Sequence, residues 1–140
     1  MNSGVIPWVY MAATDALKQW VREGVPAPQA ESLATTDDLS DYIYDDVGNV
    51  LGGVRTPYVD APAARLSGEF NDANAVCRLT GTTALFDAAT MAARYVDSQG
   101  YSDAVDEAAG RAVSAGFLLE PDASRIRAAA SLQWDALDEE

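Results

Sequence analysis

Histidine is missing from this chain altogether. That absence removes the commonest general base and the commonest zinc ligand. A Ser-His-Asp or Cys-His arrangement cannot be assembled from these residues alone. Cysteine occurs once, at Cys77, which excludes an internal disulfide and a cysteine-rich metal site. Lysine also occurs once, at Lys18, and the other eight of the nine cations are arginines. No apolar run approaches the length of a membrane span. The stretch from Met1 to Trp20 has no basic leader followed by an apolar block, so it does not read as a secretion signal. A soluble chain is expected, cytoplasmic by default.

Acidic residues are abundant: 22 stand against nine basic ones, for a formal charge of −13. Such a surface repels phosphate backbones and anionic lipid, so neither nucleic acid nor membrane is an expected partner. A well-solvated acidic surface is the ordinary reading. The arginine bias fits GC-rich coding and a saline setting equally well. With 140 residues, 49% of them hydrophobic, the chain is large enough for a core of its own.

Hydrophobic periodicity divides the chain into three parts. Residues 1–24 carry a first helix, with Ala13, Ala16, Leu17, Trp20 and Val21 on one apolar face. Thr14, Asp15, Lys18, Gln19 and Arg22 take the wet side, and Gly24 and Pro26 stop the helix. Residues 25–80 read as a Pro/Gly-rich connector, a hairpin and an extended arm. Tyr42, Ile43 and Tyr44 favour strand, "DDVGNV" supplies a turn, and "VLGGV" returns with a bulge or close approach at Gly52 and Gly53. "RTPYVDAPAARLSGEF" reads as extended, because each residue before a proline is biased away from helix.

Residues 81–140 read as three helices. The first places Leu85, Ala88, Ala89, Ala92, Tyr95 and Val96 on one face, with Thr82 or Thr83 as its cap. The second starts at a Ser102 cap, with Asp103, Asp106 and Glu107 at its positive end. Its buried stripe is Val105, Ala108, Ala109, Ala112 and Val113, ending at Gly116 with Phe117 and Leu118 folded back. Pro121 opens the third, whose stripe is Ala123, Ile126, Ala130, Trp134 and Leu137. The expected fold class is mainly α with a small β-hairpin and extended arm, an α+β arrangement.

Candidate chemistry is thin. Asp37, Asp38, Asp41, Asp45 and Asp46 suggest calcium, but they lack the alternating ligands, central glycine and closing glutamate of an EF-hand, and a solvated acidic loop is the better reading. "GNVLGG" lacks the order and the following helix of a phosphate loop, which favours a turn and bulge. Arg78 beside Cys77 could lower the thiol pKa, yet no base accompanies it, and a structural cysteine is favoured. No serine sits in a Gly-x-Ser-x-Gly elbow, and "RAVSAG" lies within an expected helix. Trp8, Trp20 and Trp134 could line a cleft, although core packing is the default for Trp20 and Trp134 on apolar helix faces. No catalytic, cofactor-binding or metal-binding residue is assigned.

The stretch from Asp45 to Pro62 is the most specific in the chain. It places Asp45, Gly48, Asn49, Gly52, Gly53, Arg55, Pro57, Asp60 and Pro62 in fixed order. The glycines suit close approach to another surface, the prolines stiffen the arm, and Arg55 offers five donors to a nearby carboxylate such as Asp60. This motif resembles the closing part of the bacterial α/β hydrolase domain-containing proteins. "LKQWVREGVPAP", "CRLTGTTALFD" and "GYSDAVDEAAGRAVSAGFLLEPDASRI" are similar to further segments of that family. The resemblance implies a serine nucleophile and histidine base that precede the region matched here, so no catalytic residue carries over. It implies a C-terminal part of a hydrolase-like protein, lacking the doubly wound sheet, that is non-catalytic and supports or walls a substrate cleft. The alternative is a small acidic protein-protein interaction module. The expected partner is a hydrolase core, in the same or a neighbouring chain, or a second copy bound through an apolar surface formed by Val50, Leu51, Val54, Tyr58, Trp8 and Trp20.

Overall fold

The computed structural model describes residues 6–68 and 81–135. Along the chain run α1 (Ile6–Glu23), β1 (Glu31–Leu33), β2 (Gly52–Gly53), α2 (Pro57–Asp60), β3 (Ala64–Ser67), β4 (Thr82–Leu85), α3 (Ala88–Tyr95), α4 (Ser98–Ser114) and α5 (Glu120–Asp135). The fold is mainly helical with two small antiparallel sheets, which makes it α+β. Cys77 and Leu137 lie outside the described residues.

The core belongs to α4 and α5. Alanines on α4 let α5 approach closely, and Val105, Ala108, Ala109 and Ala112 are buried against Ala123, Ile126 and Ala130. The turn between the helices is closed by paired backbone bonds. Phe117 N donates to Ala112 O and Gly116 N to Val113 O, both at 2.9 Å. This is a Schellman closure, with Gly116 at φ 79°, and it buries Leu118 against the helix it follows. Trp134 packs partly buried beside the core, as its stripe predicts.

The start of this helical region differs from its periodicity. Thr82–Leu85 is a strand, not a capped first turn, and it pairs residue for residue with Ala64–Ser67 from Leu85↔Ala64 to Thr82↔Ser67. A β-branched pair beside an available partner strand favours the ladder over an isolated helical turn. Leu85 therefore leaves the helix face, and Asp87 caps α3 by accepting from Thr90 N at 2.8 Å. Val96 stands at the C-cap of α3 with φ 70° and is exposed. Helix α4 likewise begins before Ser102. Asp97 caps it, accepting from Gly100 N at 2.8 Å, so Ser102 lies inside the helix.

The middle of the chain forms the expected hairpin and adds a third segment. Tyr44 bridges Val50, Thr35 bridges Tyr42, and β1 pairs with β2 through Glu31↔Gly53 and Leu33↔Gly52, with a register shift across Ser32. The arm after it is not wholly extended. Thr56 keeps the extended backbone expected before proline, but Pro57 then opens the single turn α2, where its fixed φ suits a first helical position.

Helix α1 ends at Gly24 as its composition predicts, and Gly24 N bonds Trp20 O at 3.0 Å. Its expected core face is covered only in part: Ala13 and half-buried Ala16 border a cleft with Pro28, Val54 and Phe117, while Leu17, Trp20 and Val21 are exposed, and the fully buried residue is Ala12. Periodicity identifies residues that share a face, while coverage needs a neighbour. Trp8 is partly buried against the core, and its Nε1 donates to the Tyr58 hydroxyl at 3.1 Å. Among the described residues no helix is long and apolar enough to cross a membrane.

Candidate functional site

The residues of the Asp45–Pro62 motif divide between a hairpin turn tied to β3 and a corner built by Gly52, Gly53, Arg55 and Asp60, each held by a local reason. Asp45 builds the hairpin turn: Oδ1 accepts from Val47 N at 3.1 Å and from Asn49 N at 2.8 Å, while its own N–H donates to Asn49 O at 2.8 Å. An aspartate bonding its own downstream backbone is what makes this residue a turn former. Gly48, in the same turn, has φ 86°. Asn49 is completely buried and ties the turn to β3. Its Oδ1 accepts from Leu66 N at 2.7 Å and its Nδ2 donates to Ala64 O at 3.4 Å. The amide thus supplies a strand-like donor and acceptor where no strand runs.

Gly52 and Gly53 form β2. Gly52 has φ 77°, and a Cβ there would run into the Ser32 carbonyl oxygen, so this close pairing requires glycine. Beyond them, Arg55 spreads its guanidinium over three acceptors. Nε reaches Asp60 Oδ1 at 2.6 Å, Nη1 reaches Val50 O at 3.3 Å and Nη2 reaches Val59 O at 3.3 Å. The expected Arg55–Asp60 pair is therefore present. Asp60 is further held through Oδ2 by Arg111 Nη2 at 3.3 Å, and Arg111 also bonds Glu107 at 2.8 Å. Pro57 and Pro62 are buried, and Tyr95 donates its hydroxyl to Pro62 O at 2.9 Å. Arg111 could not be found from sequence reasoning, because it lies 51 residues from Asp60 and shares no pattern with the motif.

A cleft of about 520 Å³ opens over this corner. Glu31, Gly52, Gly53, Arg55, Asp60 and Arg111 line it, with Phe117 supplying apolar wall. Arginine is a fixed donor that does not lose its proton in proteins, and both Asp60 oxygens are engaged by guanidinium groups. The arrangement suits holding a backbone shape and presenting donors.

The acidic series does not gather. Asp38 accepts from Thr36 Oγ1 at 2.6 Å and from Ser40 Oγ at 2.8 Å. These bonds, Thr36 foremost, pull its pKa down to about 2. Asp46 instead pairs with Arg94 at 2.9 Å, and that guanidinium lowers its pKa. Asp45 serves its turn. Among the described residues no group of three or more metal-ligating side chains converges. Of the three tryptophans, Trp20 stands exposed and lines no described cleft.

A family model described as alpha/beta hydrolase domain matches residues 1–128. The chain belongs to the alpha/beta hydrolase domain family. The match takes in the whole motif, the cleft and most of the helical core. No curated protein and no solved structure matches the chain.

Proposed function

We propose that this chain is a non-catalytic segment of an alpha/beta hydrolase-domain protein, which supports a hydrolase core and walls its substrate cleft. The composition of the Gly52–Asp60 cleft carries the reading. It offers two arginines, Asp60 already held at both oxygens, the exposed Glu31 at its rim, and glycine and apolar walls. In a chain without histidine, this set has the means to position a ligand and holds no imidazole to serve as the base of a serine triad. The nucleophile and base come from the core, in the same or a neighbouring chain, and the uncovered side of α1 is the surface offered to it.

The test is turnover. Purified chain assayed on short p-nitrophenyl esters is expected to release no nitrophenol above a denatured control. Turnover that copurifies with the chain and disappears on substituting Cys77 or one of its serines would overturn the proposal.

A further inference from the structure

A second cavity, which borders the same helix α2 as the arginine cleft, lies between α2, the β3–β4 hairpin and the α4–α5 pair. Its volume is about 110 Å³. It exists because small residues meet there: Ala61, Ala64 and Ala130 are buried on three facing elements where longer side chains would close the space. Val105 and Ile126 complete an apolar wall. In a chain of charge −13, no charged side chain is found among the described residues lining it. That lining disfavours a metal ion, a phosphate or a carboxylate, each of which would be buried without a counter-charge.

Two tyrosines and Gln133 contribute polar side chains to its lining. Tyr101 is almost wholly buried and donates its hydroxyl to Gln133 Oε1 at 3.0 Å. Tyr58 accepts from Trp8 Nε1 at 3.1 Å. That bond uses a lone pair of the Tyr58 oxygen, so the hydroxyl keeps its own hydrogen to donate. A mostly apolar cavity with a few converging polar groups is the usual form of a small-ligand site. Its volume is of the order of the engineered cavity of about 150 Å³ that takes up benzene in another protein, but here exposed Leu85, Ala129 and Gln133 form a rim open to solvent.

We propose that this cavity binds a small neutral molecule, a six-membered ring or a short branched alkyl group, whose hydrogen-bond acceptor faces the Tyr58 hydroxyl. The site shares no lining residue with the arginine cleft.

Alanine-methyl NMR on the full chain tests it, with benzene and cyclohexanone as probes. The methyls of Ala61, Ala64 and Ala130 are expected to shift saturably, while those of Ala34 and Ala92, outside the cavity, stay in place. Ala130→Leu fills the space and is expected to abolish the shifts with both probes. Ala64→Val serves as a milder filler if circular dichroism shows that the leucine variant is unfolded. Tyr58→Phe is expected to weaken cyclohexanone about fivefold, the worth of one neutral hydrogen bond, and to leave benzene unchanged. Absence of saturable shifts with both probes in the unsubstituted chain would overturn the proposal. So would binding that survives in a folded filler variant, or benzoate binding as tightly as benzene.

Discussion

Helix α4 hides small residues: Ala108, Ala109 and Ala112 are at most 2% exposed. Helix α1 leaves far larger ones in solvent, with Leu17 at 53%, Trp20 at 58% and Val21 at 77%. Both helices carry apolar stripes of helical period. The difference lies in what faces them. Helix α4 meets α5, and the Gly116 turn returns the chain immediately so that the two stripes close on each other. Helix α1 meets the rest of the molecule through Trp8, Val9, Ala12 and Ala16, while Leu17, Trp20 and Val21 point away from that contact. Burying a leucine or similar side chain is worth about 1.5–3 kcal/mol. The outer face of α1 forgoes that stabilisation, and a contiguous exposed apolar patch usually marks a contact surface. Of the residues expected to form such a surface, Val50, Leu51, Val54, Tyr58 and Trp8 are half-buried within the chain itself. Trp20 remains exposed, joined by Ile6, Tyr10, Leu17 and Val21 along α1.

The sharpest way to break this contrast is to make one substitution in both regions. Leu118→Ala is expected to cost about 2–5 kcal/mol, because Leu118 is buried at the helix turn. Leu17→Ala is expected to stay within about 0.5 kcal/mol, the usual range for a surface site. Urea denaturation measures both, and equal losses would mean that α1 is covered in solution.

The motif corner yields the next largest effect. Arg55→Ala strips donors from Asp60, Val50 and Val59 together. A loss of about 1–3 kcal/mol is expected, moderated because Arg111 still holds Asp60. Arg22→Ala, on the exposed end of α1, is expected to be near neutral. Matching thermal shifts for the two variants would show that the Arg55 network adds nothing to folding.

Alkaline pH probes the packed half alone. Burial pushes the Tyr101 phenol up to about 12 from an ordinary 10.0. The folded state therefore holds this proton more tightly than the unfolded chain does. The stability involved is intact below pH 10 and is lost as pH rises towards about 12. Melting temperatures recorded across that window should fall for the unsubstituted chain and fall less steeply for Tyr101→Phe. Parallel curves would mean that the phenol is solvated.

The smallest effect concerns the uncovered face. Over Ile6–Glu23 the charges Asp15, Glu23, Lys18 and Arg22 balance, unlike the chain as a whole at −13. Without a core to cover it, α1 is expected to support weak dimers. These should strengthen with salt, as screening shortens the Debye length to about 8 Å near physiological strength. Sedimentation velocity across a salt series should show this, and Trp20→Asp should reduce it. A monomer at every concentration and salt would favour the acidic interaction module over a hydrolase segment.

Much of the molecule was already written in local sequence. Gly24 with Pro26 ended α1, Gly116 ended α4, and Arg55 found a carboxylate five residues away at Asp60. Each depends on backbone conformation or on groups a few residues apart, which a short stretch of chain encodes by itself. Tertiary structure decided the rest. Thr82–Leu85 became a strand because Ala64–Ser67 lay alongside to pair with it. Asn49 gained its role from the backbone of Ala64 and Leu66, and Asp60 gained a second cation from Arg111 on a distant helix. The face of α1 left bare followed from where its neighbours ran. Periodicity states which side chains point together, and only the arrival of another element determines whether water is removed from them.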